Sequence, residues 1–534
     1  MASSIASQST RLQRFVVTAE QMTQIESRVF AAGMPVAALM EKVGGLLTNW
    51  IQAHYPLTAI NRIGVLVGPG HNGGDALVVA RELHLRGYDV VRYQPFSKLK
   101  DLTQAHAQYA GSLGIAVTPL ETLQNCDLII DGLFGFGLTR SLEGEIAAAI
   151  NQINQWQRPV VSIDLPSGLH TDTGAVMGTA IRASHSLCLG LWKRAFLQEA
   201  GLDSIGEAEL IDFGLPLADI ETVLGKPTLQ RITADLALSG LPLPRSATTH
   251  KYRQGHLLLI CGSRQYMGAA ILAGLAARTS GVGMLTIAVP ETLRPLLIPQ
   301  LPDALVVGCP ETDSGAIAAL PESIDLSNYH TIACGPGLTT AAIAVIEQVL
   351  TSTCPLLLDA DGLNGLAKLG PSALKQRTAP TVLTPHLGEF KRLFPELADS
   401  IADRIALVQS AAQQSGAIVL LKGARTAIAN PEGQVWLNPA STPALARGGS
   451  GDVLTGLMGG LLAQGQQHGT PPEASVYSAA WWHSQAGLQA AQQRTELGVD
   501  ASTLIQFLIS TLSQFQGDAV KSPSEVIQRG EVQP

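Results

Sequence analysis

Val65–Gly87 reads VLVGPGHNGGDALVVARELHLRG. An aliphatic run ends at Val67. The glycine-rich stretch Gly68-Pro69-Gly70-His71-Asn72-Gly73-Gly74-Asp75 follows, and apolar residues then recur at helical spacing to Arg86. Strand, glycine turn and helix in this order open a parallel α/β sheet. Glycine permits positive φ and lets a ligand approach the backbone, while the N–H groups of a helix start favour an anion such as a pyrophosphate. The pattern is neither G-x-G-x-x-G nor a phosphate loop closed by Lys-Ser/Thr. Two adjacent glycines flanked by Asn72 and Asp75 exceed what a tight turn without a ligand needs.

Working outward, residues 18–54 carry apolar positions at helical spacing. Beyond the quoted stretch, strand candidates are Val90–Tyr93, Leu128–Asp131, Val160–Asp164, His185–Leu189 and Ala208–Ile211. Near-continuous apolar strands between helices predict a parallel sheet covered on both faces. A second series holds His256–Cys261, Met284–Ala288, His330–Cys334, Leu356–Asp359, Thr381–Thr384 and Ala417–Lys422. Between the two series, Gly214–Thr249 contains LPLPRSATT and reads as a linker with one short helix. The expectation is an α/β chain of two domains, 1–225 with a Rossmann-like parallel sheet and 226–534 α/β again.

A length of 534 residues exceeds a single core, and 46% hydrophobic with 15% charged residues is the profile of a globular protein. A net charge of −8 without a basic stripe argues against nucleic acid as a partner. No run is long and apolar enough for a membrane span, and the Ser-rich start lacks the apolar segment of a secretory signal. The six cysteines form no C-x-x-C pair and sit in apolar runs, which predicts free thiols in a reducing compartment, the cytoplasm. A homo-oligomer is also expected.

Asp131 and Asp164 each end a strand candidate, and ligands of an open parallel sheet bind beyond the carboxyl ends of its strands. Asn72, Asp131, Asp164 and Ser167 can therefore share one crevice, and oxygen donors of this kind suit a hard cation. A lone Asp at a strand end is otherwise a cap or turn residue. HNGGDALVVAR, DGLFGFGL and DLPSGL, preceded by ALMEKVGG, resemble the NAD(P)H-hydrate epimerase family over Val17–Gly214. The resemblance implies that Asn72, Asp131 and Ser167 hold K⁺. It implies that His71, Asn72, Gly73, Gly74, Asp75, Gly135, Phe136, Gly137, Leu138, Thr139, Arg140, Ser141 and Asp164 contact the hydrated dinucleotide. Asp164 becomes the acid–base group. Lys193, in GLWKRAFL, is either a second participant or a solvated loop lysine. His71 and Ala76 depart from the family's usual Asn and Gly.

In the second half, Ala444–Gly465 reads ALARGGSGDVLTGLMGGLLAQG. The N–H groups of Gly448-Gly449-Ser450-Gly451 form an anion hole at a helix start, and Asp452 beside it is placed to take a proton from a hydroxyl. IVLLKGARTAIA supplies a strand, the turn Lys422-Gly423-Ala424-Arg425-Thr426 and a second strand. LTPHLGEF places His386 and Glu389 after a strand, where a capping or core role is equally open for the histidine. IACGPGLT brings Gly337, and LLLDADGLNGL brings Asp359 and Asp361. In order, HKYRQGH, CGSRQYMGAA, CGPGLT, LDADGLN, TPHLGEF, KGART and GGSGD resemble the ADP-dependent NAD(P)H-hydrate dehydratase family, which implies a ribokinase-like fold.

That resemblance implies that Ala270, Gly337, His386 and Asp452 contact the hydrated dinucleotide, that Lys422, Gly423, Ala424, Arg425, Thr426 and Gly451 contact ADP, and that Mg²⁺ shields the phosphates. Asp452 is then the catalytic base. The expected activity is repair of hydrated NADH and NADPH by epimerisation followed by dehydration. A small-molecule kinase fused to a regulatory domain, and a non-enzymatic first domain, are the other readings.

Overall fold

The computed structural model describes residues 10–520. The quoted stretch gives a strand at Arg62–Val67, and its helix begins at His71 rather than near Asp75. The turn proper is Gly68–Gly70. A Cβ on Gly73 would stand 2.0 Å from the Gly68 carbonyl oxygen, and one on Gly74 would stand 2.7 Å from the Met40 side chain. Glycine at both positions is what lets the helix start press against the strand end. Gly73 and Gly74 therefore have a packing reason that the sequence reading assigned to ligand approach.

The chain divides after Pro227 into two compact units. In the first, the strands are β1 (Val16–Val17), β2 (Arg62–Val67), β3 (Asp89–Tyr93), β4 (Leu128–Gly132), β5 (Val160–Ile163), β6 (His185–Leu189), β7 (Trp192–Lys193) and β8 (Glu207–Ile211). Six of them form one parallel sheet in the order β3-β2-β4-β5-β6-β8, and β1 pairs with β7 in a separate parallel ribbon. The principal helices are α1 (Ala19–Ala31), α2 (Val36–His54) and α3 (His71–Leu85).

Period-two alternation decides which core each strand residue enters. Ile63, Val65 and Val67 of β2, Leu128 and Ile130 of β4 and Val161 and Ile163 of β5 join one apolar cluster, with α1, α2 and α3. Leu66, Ile129 and Val160 point the other way into a second cluster. Each buried aliphatic side chain contributes about 1.5–3 kcal/mol, so both faces of the sheet are strongly specified.

The second unit carries one ten-stranded sheet. Its strands are β9 (Leu229–Arg231), β10 (His256–Ile260), β11 (Met284–Pro290), β12 (Leu305–Cys309), β13 (Thr331–Cys334), β14 (Leu356–Leu358), β15 (Thr381–Leu383), β16 (Ile418–Leu421), β17 (Ala427–Ala429) and β18 (Val435–Leu437). The order is β12-β11-β10-β13-β14-β15-β16-β17-β18-β9, antiparallel only where β17 meets β16 and β18. The helices used below are α4 (Met267–Thr279), α5 (Leu387–Leu393), α6 (Arg404–Ser415), α7 (Ser450–His468) and α8 (Pro472–Arg494). Helices accompany a mostly parallel sheet, so the second unit is α/β as expected.

The stretch Gly214–Thr249, expected as a linker with one short helix, contains the division between the units but is structured on both sides of it. Leu217–Leu224 is a helix held to α1 by the Arg28 Nε–Asp219 Oδ1 pair at 2.9 Å. β9 then joins the second sheet beside β18, and Ser478 of α8 donates to the Ala237 carbonyl at 2.7 Å. A three-residue strand is too short to show a period, so composition alone read as loop. Among the described residues no single helix is long and apolar enough to cross a membrane. All six cysteines are buried and unpaired.

Candidate functional site

In the first unit β3 leaves β2 on one side and β4 follows on the other, so the loops after β2 and β4 diverge. Crevices form at such reversals of strand order. A cavity of about 470 Å³ lies here. Its wall includes Glu26, His71, Asn72, Asp75, Lys100, residues 133–140, Asp164 and Lys193. Most of the expected residues are thus brought together. Gly73 and Gly74 are buried and absent from the wall, and so is the exposed Ser141.

Asp164 follows β5 with φ +67°, a left-handed conformation that Asp tolerates better than most side chains. That twist turns its carboxylate back over the strand ends. Oδ2 accepts from Phe136 N at 3.0 Å, and Oδ1 accepts from Leu189 N at 3.3 Å and from Lys193 Nζ at 2.5 Å. Lys193 has no exposed surface, and its Nζ also donates to the Leu189 carbonyl at 2.5 Å. Its solvated-loop alternative is excluded. Burial works against the ammonium charge, yet Asp164 beside it holds the Lys193 pKa above the ordinary lysine value.

Two further carboxyls face this pair. Glu26 of α1 is half-buried, and burial, with Asp164 adding to it and Lys193 opposing it, pushes its pKa up to about 7. Burial likewise lifts Asp75 well above the carboxylate range, helped by Asp164 and Glu26. Glu26 escaped the sequence reading because it sits in a mixed helix with no motif around it. The one signal was a capping box, Thr18 with Gln21, that fixes where α1 starts.

Asp131 lies beneath, fully buried. Its carboxylate accepts from Ser167 Oγ at 2.6 Å, Ser167 N at 2.9 Å, Ser162 Oγ at 2.8 Å and Leu133 N at 3.2 Å. Burial raises its pKa despite these donors. Ser167 Oγ also accepts from Phe134 N at 2.8 Å, which ties the loop after β4 to the loop after β5.

In the second unit the corresponding place is the start of α7. Gly449 has φ +94°, which lets the chain turn into the helix at Ser450. His483 of α8 meets the Ser450 carbonyl at 3.0 Å, and burial lowers its pKa to about 4, so it is neutral. Lys422 Nζ reaches Asp359 Oδ1 at 2.6 Å, and Thr455 Oγ1 donates to Asp359 Oδ2 at 2.6 Å. A Cβ on Gly451 would be 3.6 Å from Lys422 Nζ, so the lysine stands over the helix entrance. Asp452, in the first turn, feels burial and the charge of Asp359 more than that of Lys422, and its pKa rises to about 6.

The Lys422–Thr426 turn joins β16 to β17 as the hairpin the sequence predicted. Arg404 of α6 donates to the carbonyls of Leu421 at 2.9 Å, Lys422 at 2.5 Å and Arg425 at 3.2 Å and so pins it. Thr455, Arg404 and His483 were missed, since nothing but the fold brings them to the site.

Two expected contacts fare differently. Ala270 is wholly buried in α4, so it offers no surface to a ligand. His386 caps α5: Nδ1 accepts from Gly388 N at 2.9 Å and Glu389 N at 3.3 Å, while Glu389 Oε2 accepts from His386 N at 2.9 Å. The capping alternative is therefore realised, with Nε2 left 3.5 Å from Glu389 Oε1. Gly337, φ +66°, lies under Tyr266 and Ala269, where a Cβ would come within 2.8 Å of Tyr266.

A family model described as NAD(P)H-hydrate dehydratase matches residues 257–510, and one described as YjeF-related protein N-terminus matches 36–195. The bifunctional NAD(P)H-hydrate repair enzyme Nnr of Thermosynechococcus vestitus is 55% identical over 93% of this chain and 97% of its own length. The enzyme of the same name from Synechocystis is 56% identical over 95% and 96%. An ADP/ATP-dependent NAD(P)H-hydrate dehydratase from Bacillus subtilis, co-crystallised with ATP/Mg²⁺, is 34% identical, with 53% of this chain and 97% of that one covered at a TM-score of 0.45. With such identity along nearly its whole length, the chain belongs to the family of bifunctional NAD(P)H-hydrate repair enzymes.

Proposed function

We propose that the first unit interconverts the R and S epimers of hydrated NADH and NADPH, and that the second dehydrates the S epimer at the expense of ADP, giving AMP and phosphate. One observation carries this reading. Each unit presents, at its strand ends, a Lys–Asp ion pair next to a carboxyl group that has no such partner and a raised pKa.

In the first unit Asp164 is the group that moves a proton. The buried ammonium of Lys193 and two backbone N–H groups donate to its carboxylate and fix its orientation. Residues 135–140, with His71, Asn72 and Asp75, supply the wall against which the dinucleotide lies. A potassium site at Asn72, Asp131 and Ser167 is part of the proposal. The Asn72 side-chain amide donates to the Ile163 carbonyl and accepts from Gly135 N, both at 3.3 Å, which ties the helix start to the loop after β4. Asp131 already accepts four hydrogen bonds, so it would contribute negative charge more than a free lone pair. Such an ion supplies fixed positive charge near the substrate.

In the second unit Asp452 takes the proton of the added hydroxyl. That oxygen accepts the terminal phosphoryl group of ADP, releasing AMP. The C–O bond of the resulting ester then breaks with its electron pair leaving on phosphate, and the neighbouring ring carbon gives up a proton to the departing phosphate as the ring double bond forms. The amides of Gly449–Gly451 and Lys422 face the charge that builds on the phosphoryl oxygens. Residues 422–426 hold the rest of the nucleotide. Among the described residues no group of three His, Cys, Asp or Glu could hold a metal ion. Mg²⁺ would therefore ride chiefly on the nucleotide's own phosphates, where it shields their charge. A cytoplasmic setting is supported by six buried thiols without a disulfide.

The test incubates the purified chain with mixed epimers, Mg²⁺ and either ADP or ATP. Recovery of reduced-nicotinamide absorbance and consumption of both epimers, separated by chromatography, are expected. Accumulation of a stable phosphate ester in place of NAD(P)H would make the second unit a kinase.

A further inference from the structure

We propose that Glu26 is the second acid–base group of the first unit's site, donating a proton to the ring nitrogen of the hydrated nicotinamide while Asp164 takes the proton of its hydroxyl. The inference rests on the epimerase reading above. Hydration of an enamine puts the hydroxyl on the carbon bonded to nitrogen, so the epimeric carbon is a hemiaminal. Its inversion needs a bond to that carbon to break and re-form on the other face. In the opening step the O–H electrons become the C=O bond, and the proton passes to Asp164. The C–N bond breaks, its electron pair goes to nitrogen, and nitrogen takes a proton from Glu26. Rotation about the neighbouring C–C bond turns the other aldehyde face to the nitrogen. The reverse transfers then close the ring as the other epimer, and both carboxyls return to their starting states.

Two groups are needed because one cannot do both jobs. The oxygens of Asp164 face donors, a fully buried ammonium at 2.5 Å and the N–H groups of Phe136 and Leu189. The donor must come from elsewhere on the wall. Glu26 lies on that wall one helical turn before Phe30, which lines the same cavity. Among the described residues its carboxyl makes no hydrogen bond or ion pair, so it is open to a ligand. α1 is anchored around it: Thr18 and Gln21 cap its start, Ala19 N donates to Asp172 Oδ1 at 2.8 Å, and Arg28 pairs with Asp219.

The charged and titratable groups that act on Glu26 are Lys193 of β7, Asp164 after β5 and Asp75 of α3. His71, Lys100 and Arg140 share the same wall. A pKa of about 7 suits an acid that gives and regains its proton at neutral pH. Burial, with Asp164 and Glu26 adding to it, raises the Asp75 pKa as well.

The experiment measures R–S exchange by chromatography across pH in the full-length chain, in Glu26→Gln and in Glu26→Asp, with dehydration of the pure S epimer followed in the same samples. In the wild type, kcat should decline above about pH 7. Glu26→Gln should lower kcat about a hundredfold with little change in KM and lose that decline. Glu26→Asp should recover part of the rate. Recovery in Glu26→Asp together with an unchanged KM would show that the first unit is folded. Exchange in Glu26→Gln within about threefold of wild type, well short of what loss of a general acid costs, would overturn the role of Glu26 alone. A wild-type chain with no exchange beyond the spontaneous rate would overturn the epimerase reading and this inference with it.

Discussion

The two units solve one electrostatic problem in opposite ways. In the first, the aspartate proposed to move the proton is itself the anion of the buried pair, Asp164 with Lys193. In the second, the pair is Asp359 with Lys422, and the proposed base, Asp452, stands beside it without an ion-pair partner. Pairing keeps a buried carboxylate charged, whereas burial near a like charge raises the pKa toward neutrality. Lys193 is sealed, while the Lys422 side chain keeps 23% of its surface open. A sealed lysine serves its partner alone. An open one can also meet a phosphate.

The largest expected effect breaks the second half of this comparison. Asp452→Asn should reduce NAD(P)H recovery on the order of a thousandfold with nucleotide binding by calorimetry largely intact; normal turnover would remove Asp452 from its assigned role. Next, Lys193→Met leaves Asp164 as an unpaired buried charge. The first unit should lose about 3–5 kcal/mol in urea titrations, and Asp164→Asn in the same chain should restore part of it. Adding Asp164→Asn without any recovery would mean that the pair does not act as a unit.

The third effect is one of pH. Asp452 with a pKa of about 6 is protonated below that value and cannot accept a proton, so dehydration should fall about tenfold per unit on the acid side. A flat acid limb would contradict the base assignment. The smallest effect sharpens the contrast. Lys422→Met removes the cation that lowers the Asp452 pKa, so the acid limb should move upward by about one unit. A downward move would show that the pair does not set the charge at Asp452.

The parts of the molecule that repeat a local pattern were legible in advance. Strand-turn-helix at Val65–Gly87, the hairpin around KGART and the glycine entrance before Asp452 all carry their geometry in neighbouring residues. What escaped depends on residues far apart in the chain. Lys193 looks like a loop lysine until its short strand β7 pairs with β1. Thr455 lies one turn beyond Asp452 and meets Asp359 only through packing of α7 on the sheet. Ala270 matched a motif, yet its place in α4 faces inward. Glu26 and Arg404 belong to helices whose facing surfaces no short window of sequence reveals.

β9 has a practical consequence for anyone dividing this protein. Similarity to the dehydratase family starts at 257, yet Leu229–Arg231 already pairs with Val435–Leu437, and the Ile232 N–H donates to the Leu437 carbonyl at 2.9 Å. A shortened protein starting at His250 would bare Val435, Trp436 and Leu437 as a raw sheet edge, a template for aggregation. A cut just before Thr228 keeps that margin covered.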